Sequence, residues 1–175
     1  MALQILLDQQ LFAKRSKCKF GCREVEYLGY LVSSKGVRVD PSKLQAMIDW
    51  TLPKTLKALR GFLGLTRYYR RFIKGYGAIA TPLTSLLKKN RFHWNEEAKK
   101  AFRELKEAVS TPPILALPDF TKKFTIECDA SGKGIGAVLM QQGQPIVYFS
   151  QALKGRALLM STYEKDLVAL VTTVK

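Results

Sequence analysis

Acidic side chains are scarce in this chain: 14 Asp and Glu stand against 29 Lys and Arg among 175 residues, a formal net charge of +15. So large an excess favours a polyanionic partner, with nucleic acid ahead of an anionic membrane surface. Cysteine and histidine are few. Cys18, Cys22 and Cys128 cannot all pair, which excludes a disulfide framework and suits a reducing, intracellular compartment. His93 is far from all three, so a structural zinc site lacks ligands, and Cys18 and Cys22, flanking a Phe-Gly turn, read as small core residues. Charges interrupt every apolar run before the ~18 residues that span a bilayer, so no membrane partner is expected. Nor does the N-terminus show the basic segment, apolar core and small-residue cleavage site of a secreted chain. Lys14, Arg15, Lys17 and Lys19 leave a mitochondrial presequence open, but Asp8 and the immediate entry into patterned structure argue against it.

With 47% apolar residues the chain is globular, long enough for one ordinary domain or two small ones. Its charge is unevenly placed. Residues 36–91 hold 12 basic and 2 acidic side chains, two thirds of the whole excess, and no acidic residue lies between Leu52 and Trp94. This distribution points to one docking element joined to more neutral neighbours.

Leu3 to Phe12 reads as a short helix, followed by two strand-like runs separated by Gly21 and Arg23. The second run, Val25 to Val32, is aromatic and β-branched, and Ser33-Ser34-Lys35-Gly36 supplies the turn that ends it. Asp40-Pro41 opens a helix running to about Trp50, with Asp as cap and Pro at the first position. Thr55 to Lys74 is the most regular stretch. At helical pitch Leu59, Phe62, Leu63, Thr66, Tyr69 and Ile73 share one face, while Lys57, Arg60, Gly64, Arg67, Arg71 and Lys74 form a cationic stripe. Gly61 and Gly64 each cost ~1 kcal/mol relative to alanine in a helix interior. Either they let another helix pack closely beside a solvated face, or they let a ligand backbone approach. The missing acids favour the second reading and a surface that tracks phosphates.

Further helices are expected over Ile79 to Lys89 and over Asn95 to Ser110, the latter capped by Asn95 and stopped by Pro112-Pro113. Beyond Asp119 the period becomes alternating. Strands are expected at Phe124 to Asp129, Ile135 to Gln141 and Gln144 to Gln151, then a helix from about Ser161. Gly132-Lys133-Gly134-Ile135-Gly136 lacks Walker spacing and reads as hairpin-turn chemistry. Asp129 ends its strand, where a carboxylate is rigidly aimed, and the helix bearing Glu164 and Asp166 would bring a second acid to share Mg²⁺.

The string Leu59 to Ile73, LRGFLGLTRYYRRFI, occurs with SKCKFG at 16–21, VEYLGYLVS at 25–33, LTSLLKK at 83–89 and FTIECDASGKGIGAVLMQ at 124–141. Together, and in this order, these segments resemble the reverse transcriptase region of gypsy-type LTR retrotransposon Pol polyproteins over nearly the whole chain. The resemblance implies an α+β fold. Residues 1–35 would be the C-terminal remnant of a palm, 36–90 a helical thumb, 91–118 a connection helix, and 119–175 a partial, truncated RNase H-like domain. It also implies that Tyr27, Gly29 and Tyr30 belong to a hairpin that grips a primer strand. Lys57, Arg60, Gly61, Gly64, Arg67, Arg71 and Lys74 would then lie along an RNA/DNA or DNA duplex.

For RNase H chemistry, the resemblance implies Mg²⁺ held by four acids. Asp129 matches the first and Asp166 the second, with Glu164 as the alternative; Asp at 166 is one methylene shorter than the family's usual Glu. No other residue supplies the remaining acids, and the polymerase aspartates have no counterpart. The expectation is therefore a duplex-binding piece without catalysis of its own, whose natural partner is the remainder of a Pol polyprotein. A helical protein-interaction module and an RNase H completed in trans are the alternatives.

Overall fold

The computed structural model describes residues 2–131 and 134–174. A short helix, α1 (Ala2–Asp8), stops earlier than the periodicity suggests, and a single 3₁₀ turn at Arg15–Lys17 follows. No strand forms among the residues before Gly21. Cys22 is exposed and Cys18 only half-buried, so the pair is not core as expected from composition. The run Val25 to Val32 is also not one strand. It folds into β1 (Glu24–Tyr27) and β2 (Tyr30–Ser33), antiparallel, with Tyr27 opposite Tyr30. Leu28 and Gly29 make the two-residue turn at φ of +51° and +76°, the primed geometry that matches strand twist. A leucine in the left-handed region hides that turn from a propensity reading.

Strand β3 (Gly36–Val39) completes the first sheet in the order β1-β2-β3. Asp40 then caps α2 (Pro41–Ile48), its side chain accepting from Ser42 N at 2.8 Å. Four more helical pieces follow. Helix α3 (Leu56–Tyr68) is capped by Thr55, and α4 (Tyr76–Ser85) enters through Gly75 at φ +70°. Helix α5 (Glu96–Ser110) is capped by Asn95, whose side chain accepts from Ala98 N at 2.8 Å. Thr55 to Lys74 is thus not one helix, because Tyr69 leaves the α region and Arg70–Phe72 form a 3₁₀ turn. Its three-residue period still carries Thr66, Tyr69 and Phe72 inward, so apolar spacing alone does not reveal the break.

One core unites helices α2 to α5. Met47, Leu59, Phe62, Phe72, Leu83, Leu105 and Val109 are fully buried, and truncating Phe62 to alanine is expected to cost about 3–5 kcal/mol. The linker after α5 is stitched to both sheets. Leu115 exchanges two backbone bonds with Val37 (2.8 and 2.9 Å), and Ala116 N donates to Pro145 O at 2.7 Å. The second sheet, β4 (Thr125–Ala130), β5 (Gly134–Gln141) and β6 (Gln144–Ala152), is antiparallel in that order. Helix α4 packs on β6 from one side, with Gly77 N donating to Ser150 Oγ at 2.8 Å. Helix α6 (Thr162–Val174) covers the other side through Val168 and Ala169, beside Ile135 and Leu153. Gly132 and Lys133 lie outside the described residues; their flank is closed by Ser131 N donating to Gly134 O at 2.8 Å. The architecture is α+β, as expected.

Candidate nucleic-acid interface

Helix α3 presents Lys57, Arg60, Gly61, Gly64 and Arg67 to solvent along one side. Arg71 and Lys74 continue the exposed basic surface from the 3₁₀ turn and the loop after it, not from the helix. Among the described residues, no ion pair engages any of these cations. Neither glycine is needed for packing. A Cβ on Gly64 would meet nothing within 4 Å, and one on Gly61 would touch the Trp50 ring at an ordinary 3.5 Å. The helix-packing explanation of the two glycines therefore fails, and Gly64 leaves an open groove among unpaired cations.

The hairpin tip sits at the C-terminal end of the same helix. Tyr68 Oη donates to Leu28 O at 2.8 Å and Tyr69 Oη to Gly29 O at 3.1 Å. Tyr30 stacks on Tyr68 and Phe72 at centroid distances of 5.4 and 5.7 Å. Burial, reinforced by the hydrogen bond and charge of Tyr68, pushes the Tyr30 hydroxyl up to about 12. The structure thus turns Tyr30 and the Gly29 carbonyl inward, while Tyr27 and Leu28 face solvent at 65% and 67% exposure. Tyr68, 47% exposed, is one helical turn beyond Gly64 on the same line of α3. Sequence reasoning had Leu28 within the hairpin string but passed over Tyr68, which counting along the glycine row would have found.

A basic cleft adjoins the helix. Arg60, Lys88, Lys89 and Asn90 rim a space of about 650 Å³ whose apolar wall includes Leu56 and Phe92. Lys88 and Lys89 follow α4, in the stretch expected to be helical, where turns form instead. These lysines extend the cationic surface beyond the single stripe expected from helical phasing.

The carboxylates are arranged differently. Alternation along β4 turns Cys128 and Ala130 toward α6, so Glu127 and Asp129 face the α4 side. There Asp129 borders a cavity of about 240 Å³ that Lys74, Gly75 and Ala78 help to close. Asp166 is exposed on α6, the helix lying across the opposite sheet face. Glu164 is engaged locally: its carboxylate accepts from Ser161 N at 2.7 Å and Ser161 Oγ at 2.8 Å. The Ser161 backbone N–H, then its hydroxyl, hold Glu164 below the usual carboxylate range. This is a capping box, visible in sequence as Ser-x-x-Glu before an apolar run. Among the described residues, no three of His, Cys, Asp and Glu form a group that could hold a metal ion. Asp129 and Asp166, with Glu164 engaged as a cap, are too few donors among the described residues to hold a pair of Mg²⁺ ions.

Comparison with known proteins places this geometry among relatives. Residues 94–175 match the RNase H-like domain found in reverse transcriptase. An uncharacterized mitochondrial protein of Arabidopsis thaliana is 54% identical over 126 residues, 71% of this chain and 80% of that protein. The retrovirus-related Pol polyprotein from transposon 297 of Drosophila melanogaster is 41% identical over 97% of this chain, and that from transposon gypsy 38% over 97%. The chain spans only 16% and 18% of the length of those two polyproteins. Among solved structures, the foamy viral protease-reverse transcriptase in complex with an RNA/DNA hybrid superposes with a TM-score of 0.85 at 25% identity, covering 99% of this chain and 24% of that one. The same enzyme in complex with dsDNA gives 0.83, also at 25% identity, covering 99% and 37%.

Proposed function

We propose that this chain, whose residues 94–175 match the RNase H-like domain found in reverse transcriptase and which is 41% identical to a retrotransposon Pol polyprotein over 97% of its length, belongs to the reverse transcriptase/RNase H family and grips a nucleic-acid duplex without cutting it. The observation that carries this reading is Gly64, a helix-interior glycine with open space above it, set among exposed cations that no described acid neutralises. Backbone phosphates are the partner such a surface suits, since each cation displaces condensed counterions on binding. Lys57, Arg60, Gly61, Gly64, Arg67, Arg71 and Lys74 make the track. Tyr27 and the hairpin of Gly29 and Tyr30 stand at its end. Complexes of the foamy viral enzyme with RNA/DNA hybrid and dsDNA support a duplex of either kind as ligand.

On this reading the element is gypsy-type, supported by 38% identity to the gypsy polyprotein. Residues 1–35 then act as the palm remnant, 36–90 as the thumb, 91–118 as the connection and 119–175 as the RNase H-like part. Asp129 and Asp166 are the acids that would be offered to Mg²⁺. With Glu164 occupied as a cap and no further acid gathered, cleavage by the chain alone is not expected.

The deciding experiment measures affinity for an RNA/DNA hybrid across a salt series. Each of Arg60→Glu, Arg67→Glu and Arg71→Glu is expected to weaken binding and to flatten the log–log salt slope by about 0.9 per lost phosphate contact. Unchanged slopes in all three variants would refute the track. Mg²⁺-dependent cleavage of the hybrid by the purified chain, lost in Asp129→Asn, would refute the absence of catalysis.

A further inference from the structure

The contacts that hold the hairpin tip are unusually specific. Two consecutive tyrosines at the end of α3 take the carbonyls of the two consecutive turn residues, Tyr68 that of Leu28 and Tyr69 that of Gly29. Gly29 O also accepts from Asp40 N at 3.1 Å, tying the tip to the start of α2. Tyr30 closes the arrangement, its hydroxyl donating to Tyr68 O at 3.3 Å and its ring meeting Tyr69 edge-on at 5.5 Å. The fit leaves no slack: a Cβ on Gly29 would come within 2.7 Å of Tyr69 Oη. None of these bonds is required to form a two-residue hairpin, which needs only its own strand pairing. What they fix is where the exposed Tyr27 and Leu28 side chains stand relative to Gly64, Arg67 and the end of the helix.

We propose that Tyr69, with Tyr68, is a positioning residue that locks the hairpin tip to α3, so that tip and basic helix face meet a duplex as one rigid edge. The inference rests on the duplex-binding reading above. Tyr69 itself is almost wholly buried and touches no ligand; it acts through the Gly29 carbonyl. A contact surface built from two separately moving parts must lose their relative freedom on binding, and the lock removes that loss beforehand. Tyr69→Phe keeps the ring and its packing but removes the bond to Gly29 O, loosening a tip that Tyr68 and Asp40 still hold.

The test compares the full-length chain with Tyr69→Phe, Gly29→Ala and the double variant, using an end-labelled RNA/DNA hybrid. Melting temperature, affinity and salt slope are read for each, together with the nucleotide cross-linked by benzoylphenylalanine introduced in place of Tyr27. Tyr69→Phe is expected to lower affinity about 2- to 10-fold, the equivalent of one net hydrogen bond, with the salt slope unchanged and the cross-link spread over neighbouring nucleotides. Gly29→Ala should do the same, by displacing the hydroxyl and by straining the turn at φ +76°. The double variant should bind no worse than Gly29→Ala alone, since the clashing oxygen is gone. A lowered melting temperature with affinity and cross-link position unchanged in Tyr69→Phe would make the tyrosine merely structural and overturn the proposal. A wild-type chain that binds no hybrid refutes the duplex reading itself, and the lock with it.

Discussion

Gly64→Ala separates folding from function by sign. Gly64 lies inside a 13-residue helix, where glycine is about 0.8–1.0 kcal/mol less favourable than alanine. The new methyl would meet nothing within 4 Å, so no clash offsets the gain. The variant should be more stable by about 1 kcal/mol, raising the melting temperature of a chain this size by about 2–4 °C. Duplex binding should move the other way. If a sugar-phosphate backbone closes onto Gly64, a methyl holds it off and lengthens the contacts to Arg60 and Arg67 on either side. A tenfold loss of hybrid affinity, about 1.4 kcal/mol, is the expected minimum, with a larger loss for Gly64→Gln. Thermal melting and fluorescence anisotropy on the same preparations read both effects. A stabilised Gly64→Ala that binds hybrid as well as wild type would refute close approach at this position.

Four other perturbations test the fold. Leu28→Asn should stabilise the chain by about 1 kcal/mol, because asparagine tolerates the left-handed φ of +51° that strains leucine; an unmoved denaturant midpoint would count against strain. Ser161→Ala should destabilise α6 by about 1 kcal/mol, seen as faster amide exchange in that helix. Because Glu164 is held below the usual carboxylate range, its contribution is present at neutral pH and fades as pH falls through its folded value. Acid should therefore loosen α6 in wild type but not further in Glu164→Gln. Tyr30, raised from 10.0 to about 12, favours the folded state below pH 10 and loses that contribution as pH rises toward 12. Burial raises Tyr69 and Tyr76 as well, so tyrosinate absorbance should show several late-titrating groups, one fewer in Tyr30→Phe.

Much of the fold was legible where local chemistry and burial agree. Asp40-Pro41 and Asn95 marked helix starts that the structure keeps, and alternation marked β4 to β6 to within a residue or two. The failures occur where tertiary contacts override local preference. The hairpin at Leu28-Gly29 came from the family resemblance alone; residue propensity hid its turn because leucine rarely adopts positive φ, and the tyrosine contacts that hold it come from 40 residues away. Helical phasing ran through Tyr69 because α and 3₁₀ geometry bury the same spacing there. At the candidate site, Arg60, Gly64 and Arg67 were legible from phase and charge. Lys88, Lys89 and Phe92 were not, since only the fold brings them beside Arg60.

The departures from local optimality have a common location. A glycine stands in the middle of α3, a leucine occupies a left-handed turn position, and a row of cations has no acidic partner among the described residues. Each disfavours the folded chain in isolation, and none is explained by packing. All lie on the exposed edge shared by the hairpin tip and α3, or on its basic continuation. The carboxylate side shows the reverse. Glu164 obeys a capping rule, Asp129 sits on a strand with its side chain turned away from the helix that bears Asp166, and no three described acids gather into a group that could hold a metal ion. Broken local rules that converge on one surface mark the place where a partner supplies the missing interactions, and rules kept elsewhere mark structure. By that criterion the proposed working surface is the basic edge, and the proposed partner is a phosphate backbone.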